Sequence, residues 1–290
     1  MRGIATAIEH PVLAAGRTAV ITGGSAGIGL AVARRLSAAG MNIWLADCQP
    51  PTEGVVDELR SAGAGEVTFR QVDVSCISDL VTLQQEVFAQ TGEVGLLMNN
   101  AAVGGSRGQV WTSIESWTRL TSVNFLGVAN GVCAFTQAMI DSRKPGIIIN
   151  TGSKQGMTNP PGNPAYNAAK AAVISLTESL AHDLRGVTQG QISAHLLIPG
   201  FTYTSLIARH MPEKPDSAWL PEQVAEAMVS GILANDFYIL CPDNEVTRKM
   251  DERRVLWDAG DIVENRPALS RWHPEYVEEF SVFMAHEGRS

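Results

Sequence analysis

Short apolar runs alternate along this chain with longer segments in which apolar residues recur every three to four positions. The first pattern marks a buried strand and the second an amphipathic helix. Residues 17–24 (RTAVITGG) read as a strand, and residues 28–40 (IGLAVARRLSAAG) as a helix closed by Gly40. The alternation then repeats: a strand at 41–47, a helix at 54–63, a strand at 66–74, a helix at 77–92 and a strand at 94–102. A long helical region near 113–142 precedes a strand at 145–153, and a helix over about 165–186 precedes one at 192–200. A helix over about 221–234 and a short strand at 236–241 complete the series. Strands that are apolar throughout, each followed by a helix, predict right-handed crossovers and a sheet buried on both faces. The expected fold class is α/β, a doubly wound sandwich with a central, mainly parallel sheet and helices on both faces.

From about residue 243 the texture changes, and residues 243–290 hold 11 acidic and 7 basic residues. The pattern predicts an amphipathic helix from Asp243 to Asp258, with Val246, Met250, Val255 and Leu256 facing the body. The chain thus reads as a single domain over residues 1–290, with a core over about 18–241 and a C-terminal extension over about 242–290. That extension is either a surface appendage, a subunit contact or a cover for the active site. With 45% hydrophobic residues among 290, the chain is not disordered as a whole. Its net charge of −8 argues against nucleic acid or anionic lipid as a partner. Four cysteines without a C-x-x-C pair predict free thiols and no metal site. The N-terminal apolar run is broken by Glu9, His10 and Pro11, a poor secretory signal, and no stretch approaches 18 apolar residues. A cytoplasmic protein with no membrane partner is the expectation.

Candidate chemistry starts at residues 22–29 (TGGSAGIG), where the first strand meets the first helix. Gly23, Gly27 and Gly29 remove Cβ atoms where a backbone must turn tightly and approach a pyrophosphate. The following helix would present its N-terminal N–H groups and positive dipole end to that phosphate. Asp47 ends the second strand, 18 residues after Gly29. A carboxylate there accepts hydrogen bonds from ribose hydroxyls and repels a 2′-phosphate, and no Arg or Lys lies in the glycine turn or just after Asp47. NAD is therefore expected over NADP. Tyr166 and Lys170, four apart, share one helix face, with Ser153 thirteen residues upstream at a strand end and Asn124 within SVNFLGV.

Together these residues resemble the short-chain dehydrogenase/reductase family, in its compact NAD(P)-dependent branch, from about Thr18 to Cys241. The likeness also rests on Asp73-Val74, on NNAA at Asn99–Ala102, and on Pro199-Gly200 followed by Thr204. Three features depart from the family pattern: Ala102 for the usual glycine, NTGS before the serine, and the long tail. The resemblance implies a Rossmann-type fold and an enzyme that interconverts a secondary alcohol and a ketone. It implies Tyr166 as general acid/base, whose ionisation near neutral pH must be favoured by about 4 kcal/mol. Lys170 supplies part of that field and binds the nicotinamide ribose, Ser153 stabilises charge on the carbonyl oxygen, and Asn124 holds a relay water. Around the cofactor it places Ser25 and Ile28 at the phosphates, Asp73 and Val74 at the adenine, and Asn100 by the ribose. Pro199 borders the site, with Thr202 and Thr204 near the carboxamide. His182, His195 and His210 match no catalytic position, and Cys48 and Cys76 fall near the adenine end.

Val103, Met157, Phe201, Tyr203, Leu206 and Met211 are expected to form a mainly apolar substrate pocket, with Lys154, Gln155 and Arg209 as polar contacts. The resemblance also implies a homodimer or homotetramer through the helices near 113–142 and 165–186. A non-catalytic NAD(H)-binding regulator on the same fold is the alternative, although it would have no use for an acid/base tyrosine.

Overall fold

The computed structural model describes residues 10–105, 108–209 and 211–285. The expectations about the first nine residues, His210 and the last five fall outside the described residues.

Seven strands form one sheet: β1 (Thr18–Thr22), β2 (Asn42–Asp47), β3 (Val67–Gln71), β4 (Leu96–Asn99), β5 (Gly146–Thr151), β6 (Ile192–Ile198) and β7 (Tyr238–Leu240). Their order is β3-β2-β1-β4-β5-β6-β7, and every pairing is parallel, so the sheet expected to be mainly parallel is wholly so. Successive strand residues point to opposite faces, and both faces are covered. Ala19, Ile21, Ile43, Leu45, Leu96, Met98, Ile147 and Ile149 enter one core. Val20, Trp44, Ala46, Leu97 and Ile148 enter the other.

Eleven α-helices lie among the described residues: α1 (Gly27–Ser37), α2 (Val55–Ser61), α3 (Ile77–Thr91), α4 (Ile114–Thr121), α5 (Gly127–Asp141), α6 (Gln155–Thr158), α7 (Pro164–Thr188), α8 (Ser205–Ala208), α9 (Pro221–Leu233), α10 (Arg248–Val263) and α11 (Val277–Ala285). Helix α1 packs against α9 on the first face, while α5 packs against α3 and α7 on the second.

Four local differences from expectation have physical reasons. β3 ends at Gln71 because Asp73 makes a turn: its carboxylate accepts from the Ser75 N–H (2.9 Å) and hydroxyl (2.6 Å). The helical region near 113–142 is interrupted by a π-helical turn at Ser122–Leu126. That region, Ile114–Asp141, is also long and apolar enough to cross a membrane by length and composition, an 18-residue window in it having a mean hydropathy of 1.4, which corrects the expectation that no stretch would be. Polar residues interrupt its apolar run but are outweighed by the apolar ones in the average, and here it packs against α3, α7 and β4.

The last two differences concern the C-terminal segment. Its first helix starts at Arg248 instead of Asp243, because the Asp243 carboxylate caps the Glu245 and Val246 N–H groups. Thr247 then caps the helix by accepting from Met250 N–H. The expected stripe faces the body only in part: Val246, Met250 and Val255 are half-buried but Leu256 is 65% exposed, and the fully buried positions of α10 are Asp251 and Trp257.

Candidate active site

The strand order reverses between β1 and β4, which opens a crevice beyond their carboxyl ends. The glycine turn lies on its floor. Gly23 (φ +63°) and Gly27 (φ +54°) adopt the left-handed backbone that glycine tolerates. A Cβ at Gly23 would stand 2.8 Å from Ala101 Cα, and one at Gly29 would strike the Gly23 carbonyl oxygen. Ile28 packs against the core below. No side chain caps the N-terminus of α1 and no acid occupies its first turn, which leaves its N–H groups for an anion. Thr204 closes over this turn, its side chain 3.4 Å from where a Gly27 Cβ would project.

Asp47 stands at the end of β2, where its carboxylate accepts from Ser25 N–H (3.1 Å) and Gln49 N–H (3.2 Å). The Ser25 hydroxyl donates to Gln49 O, which ties the glycine turn to the β2 end. Asn100 joins β1 to β5, donating to Thr22 O (3.1 Å) and accepting from the Thr151 hydroxyl (3.4 Å). Asp73 is exposed and turned to its own loop, while Val74 is buried, its carbonyl accepting from Asn130. Beyond β6, Pro199 O accepts from Lys154 N–H, and Thr202 bridges to Trp219. Ala102 is exposed, so its added methyl meets no packed neighbour.

Ser153, just after β5, and Tyr166, on α7, come together, and the Ser153 hydroxyl pulls the Tyr166 pKa down. Ser153 Oγ also accepts from Gln155 N–H (3.2 Å). One turn along α7, Lys170 is 1% exposed, donates to Thr151 O at 2.7 Å, and lies 5.9 Å from the Tyr166 ring centroid. Burial lowers its pKa to about 8. Burial also pushes the Tyr166 phenol above its usual value, against the pull of the Ser153 hydroxyl. Asn124 sits in the π-helical turn, a feature frequent at functional sites. Its amide accepts from Val103 N–H (2.8 Å) and donates to Val103 O (2.9 Å). The side chain expected to hold a relay water also fixes Val103, and one amide N–H and one lone pair remain beyond these two bonds.

The substrate side needs more revision. Met157 packs with Val128, Val173, Leu196 and Ile198 and so belongs to a core cluster. The Tyr203 hydroxyl donates to Met211 O and Pro212 O, while Met211 and Arg209 are exposed. Phe201, Leu206 and Val103 are half-buried, with Leu206 against Gly104. Lys154 is no free polar contact: it is ion-paired with Asp243 and Asp251. Those two aspartates were missed, and a lysine and a carboxylate 89 residues apart leave no local pattern to find. His195 is structural, bonded to Asp236 O and the Ser193 hydroxyl, and His182 lies on the surface near Arg185. Cys48 and Cys76 are exposed free thiols.

The model of the family described as "short chain dehydrogenase" matches residues 17–215. The chain belongs to this family. A D-beta-hydroxybutyrate dehydrogenase of Rhizobium meliloti is 30% identical over 219 residues, which cover 74% of this chain and 83% of the relative. A short-chain dehydrogenase/reductase of Burkholderia phymatum, solved in complex with NAD, is 33% identical, with a TM-score of 0.76 over 87% of this chain and 96% of that one. A metagenomic short-chain oxidoreductase solved with NADP is 29% identical, with a TM-score of 0.65 over 79% of this chain and 98% of that one.

The short-chain dehydrogenase described here is thus an oxidoreductase of a family whose members bind a nicotinamide dinucleotide and act on small molecules. Its residues fit such a group. The glycine turn leaves a cradle that Cβ atoms would fill, and the uncapped α1 N-terminus faces it. Among the described residues, the one acceptor recorded for the buried Lys170 ammonium is Thr151 O, which leaves donors for a ribose.

Proposed function

We propose that this short-chain dehydrogenase is an NAD-dependent enzyme that interconverts a secondary alcohol and a ketone, with Tyr166 as general acid/base. The observation that carries this reading is the gathering of Ser153, Tyr166 and Lys170, with the Lys170 ammonium 5.9 Å from the Tyr166 ring centroid and the Ser153 hydroxyl acting on the phenol. Gly23, Ser25, Gly27, Ile28, Gly29 and Asp47 would hold the dinucleotide at its phosphate and adenosine end. Asn100, Pro199, Thr202, Thr204, Tyr166 and Lys170 would hold its nicotinamide end, and Asp73 and Val74 would border the adenine. When bound, the nicotinamide accepts or delivers the hydride.

The chain's own groups handle the proton and the oxygen. In oxidation, Tyr166 Oη takes the proton of the substrate hydroxyl, and in reduction it returns it. Ser153 Oγ donates to the substrate oxygen, where negative charge changes during reaction. The Lys170 ammonium favours the phenolate by proximity. Burial alone opposes that ionisation, so the base form depends on Lys170 and on the positive ring of the oxidised cofactor. Asn124 keeps Val103 at the rim of the crevice. Asp47 favours NAD, since a 2′-phosphate would approach a carboxylate with no neighbouring Arg or Lys in the turn.

Half-buried Phe201, Leu206 and Val103 suit a substrate with an apolar or aromatic body. A homodimer or homotetramer through α4–α5 and α7 and a cytoplasmic location belong to the same reading. Light scattering checks the former.

The deciding experiment is coupled oxidation of a diverse panel of secondary alcohols with NAD+, with NADP+ in parallel. Turnover with NAD+ is expected, and Tyr166→Phe lowers kcat by roughly 10²- to 10⁴-fold while NADH binding persists. Reaction with small, highly charged hydroxy acids alone would refute the substrate class. NADH binding without turnover of any alcohol or ketone would favour a regulator.

A further inference from the structure

We propose that Lys154 is a positioning residue for Ser153, and that the C-terminal segment holds it in place through Asp251. This rests on the reading above, in which Ser153 touches the substrate.

Lys154 follows Ser153 directly and turns away from the crevice into a buried charge cluster. Its ammonium lies 2.5 Å from Asp251 Oδ2 and 3.3 Å from Asp243 Oδ2. The side chains of Lys154, Asp243 and Asp251 are only 12%, 7% and 2% exposed, so water does little to solvate these charges. Arg254 completes the cluster, 3.7 Å from Asp251 Oδ1. Two carboxylates and two cations balance.

Lys154 and Asp243 touch the loops of the substrate side directly, and Asp251 reaches it through its helix. Asp243 Oδ2 accepts from the Phe201 N–H (3.4 Å), in the loop after β6. Lys154 N–H donates to Pro199 O, so the loops after β5 and β6 are joined by backbone as well as by charge. Gly200 lies against the cluster so closely that a Cβ there would stand 2.9 Å from both Asp243 Oδ2 and Lys154 Nζ. Asp251 belongs to α10, which packs against α6. Helix α6 in turn presses on α7 beside the acid/base pair: a Cβ at Gly156 would stand 2.6 Å from the Lys170 carbonyl carbon. The lysine therefore anchors the short stretch that carries Ser153 to an element far away in sequence. None of these contacts reaches Gly23 or Asp47, on the opposite half of the sheet, whereas the loop after β6 runs on to Thr204, which closes over Gly27.

The cluster lies nearer Ser153 than the glycine turn, so its loss acts on turnover more than on cofactor binding. If Lys154 loses its charge, two buried carboxylates are left with Arg254 alone, and the loop that carries Ser153 shifts to relieve them. The dinucleotide turn stays as it was.

The experiment measures kcat per NADH-binding site, NADH affinity by fluorescence, and hydrogen exchange of residues 153–158 in the full-length protein. Lys154→Met is expected to lower kcat at least 10-fold, with NADH affinity within 2-fold of wild type and faster exchange at 153–158. Lys154→Arg, which keeps the charge, restores kcat to within about 3-fold. Asp251→Asn tests the same contact from α10 and serves if Lys154→Met fails to fold; it too lowers kcat and speeds exchange at 153–158. Glu252→Gln, in an exposed pair with Arg248, changes nothing. Unchanged kcat and exchange in both Lys154→Met and Asp251→Asn would overturn the proposal, as would parallel loss of kcat and NADH affinity. If wild-type protein turns over no alcohol or ketone, the functional reading fails first. The tether alone is then judged by the exchange at 153–158.

Discussion

The sheet and the C-terminal segment are built on opposite principles. All five residues of β1 and all six of β5 are buried, and their side chains alternate between two apolar cores. Helix α10, at sixteen residues, buries only Asp251 and Trp257, and α11 buries none. The segment is ordered by charge and ring contacts. Arg266 lies 3.9 Å over the Trp257 ring, donates to Trp257 O (2.6 Å) and pairs with Asp261 (3.0 Å). Trp257 Nε1 donates to Ser270 Oγ (2.7 Å), and Phe280 and Phe283 flank the ring at 5.2 Å. Apolar burial is non-directional and scales with area, so the sheet tolerates changes of pH and salt. A network of buried charges depends on each partner, so the segment is where solution conditions and single substitutions act first.

Three measurements test this contrast. The largest effect is expected in the body: Phe135→Ala, at a fully buried position on α5, should destabilise the protein by about 3–5 kcal/mol in urea unfolding. A loss below about 1 kcal/mol would mean that the body does not depend on apolar packing as described. Next, Trp257→Ala removes the centre of the C-terminal network. Amide exchange should quicken at least 10-fold over residues 248–285 and stay unchanged in β1 and β4. Equal acceleration in both regions would abolish the distinction.

The smallest effect concerns Asp258. Burial raises its carboxyl to about 6, against the pull of Arg271, Arg266 and Arg254, while neighbouring Asp261 raises it further. The folded segment thus binds a proton more tightly than the unfolded chain, whose ordinary carboxyl value is 3.8. Its stabilising effect is complete below that value and is lost as pH rises through about 6. Asp258→Asn should therefore raise the melting temperature by about 2 °C at pH 7.5 and leave it unchanged at pH 4. An equal shift at both pH values would show that the charge is not responsible.

Much of the fold could be read from local pattern. The seven strands and the principal helices of the body lie close to where periodicity placed them, since the central strands are apolar on both faces and the helices on one. The glycine turn and the four-residue spacing of Tyr166 and Lys170 are likewise local, and a helix puts such a pair on one face whatever its surroundings. The failures are instructive in the same terms. Leu256 reads as an inward position because it is apolar, yet it is 65% exposed, whereas Val255 is half-buried and Asp251 is fully buried. Burial there is decided by Lys154, and a buried ion pair overrides apolar patterning at the positions it occupies. Met157 reads like a pocket residue from its place after Ser153, but α6 turns it into the cluster around Val173 and Leu196.

The sequence by itself therefore determined the element order, the parallel sheet, the glycine turn and the shared helix face of Tyr166 and Lys170. These depend on periodicities and spacings within some thirty residues. Only the tertiary structure decided which substrate-side residues face the crevice, how Asn124 is held by Val103, and that the C-terminal segment reaches the loop after Ser153. Those outcomes depend on contacts between residues 20 to 100 positions apart. The free energy of such contacts comes from desolvation and pairing in three dimensions, which no local pattern of side chains records.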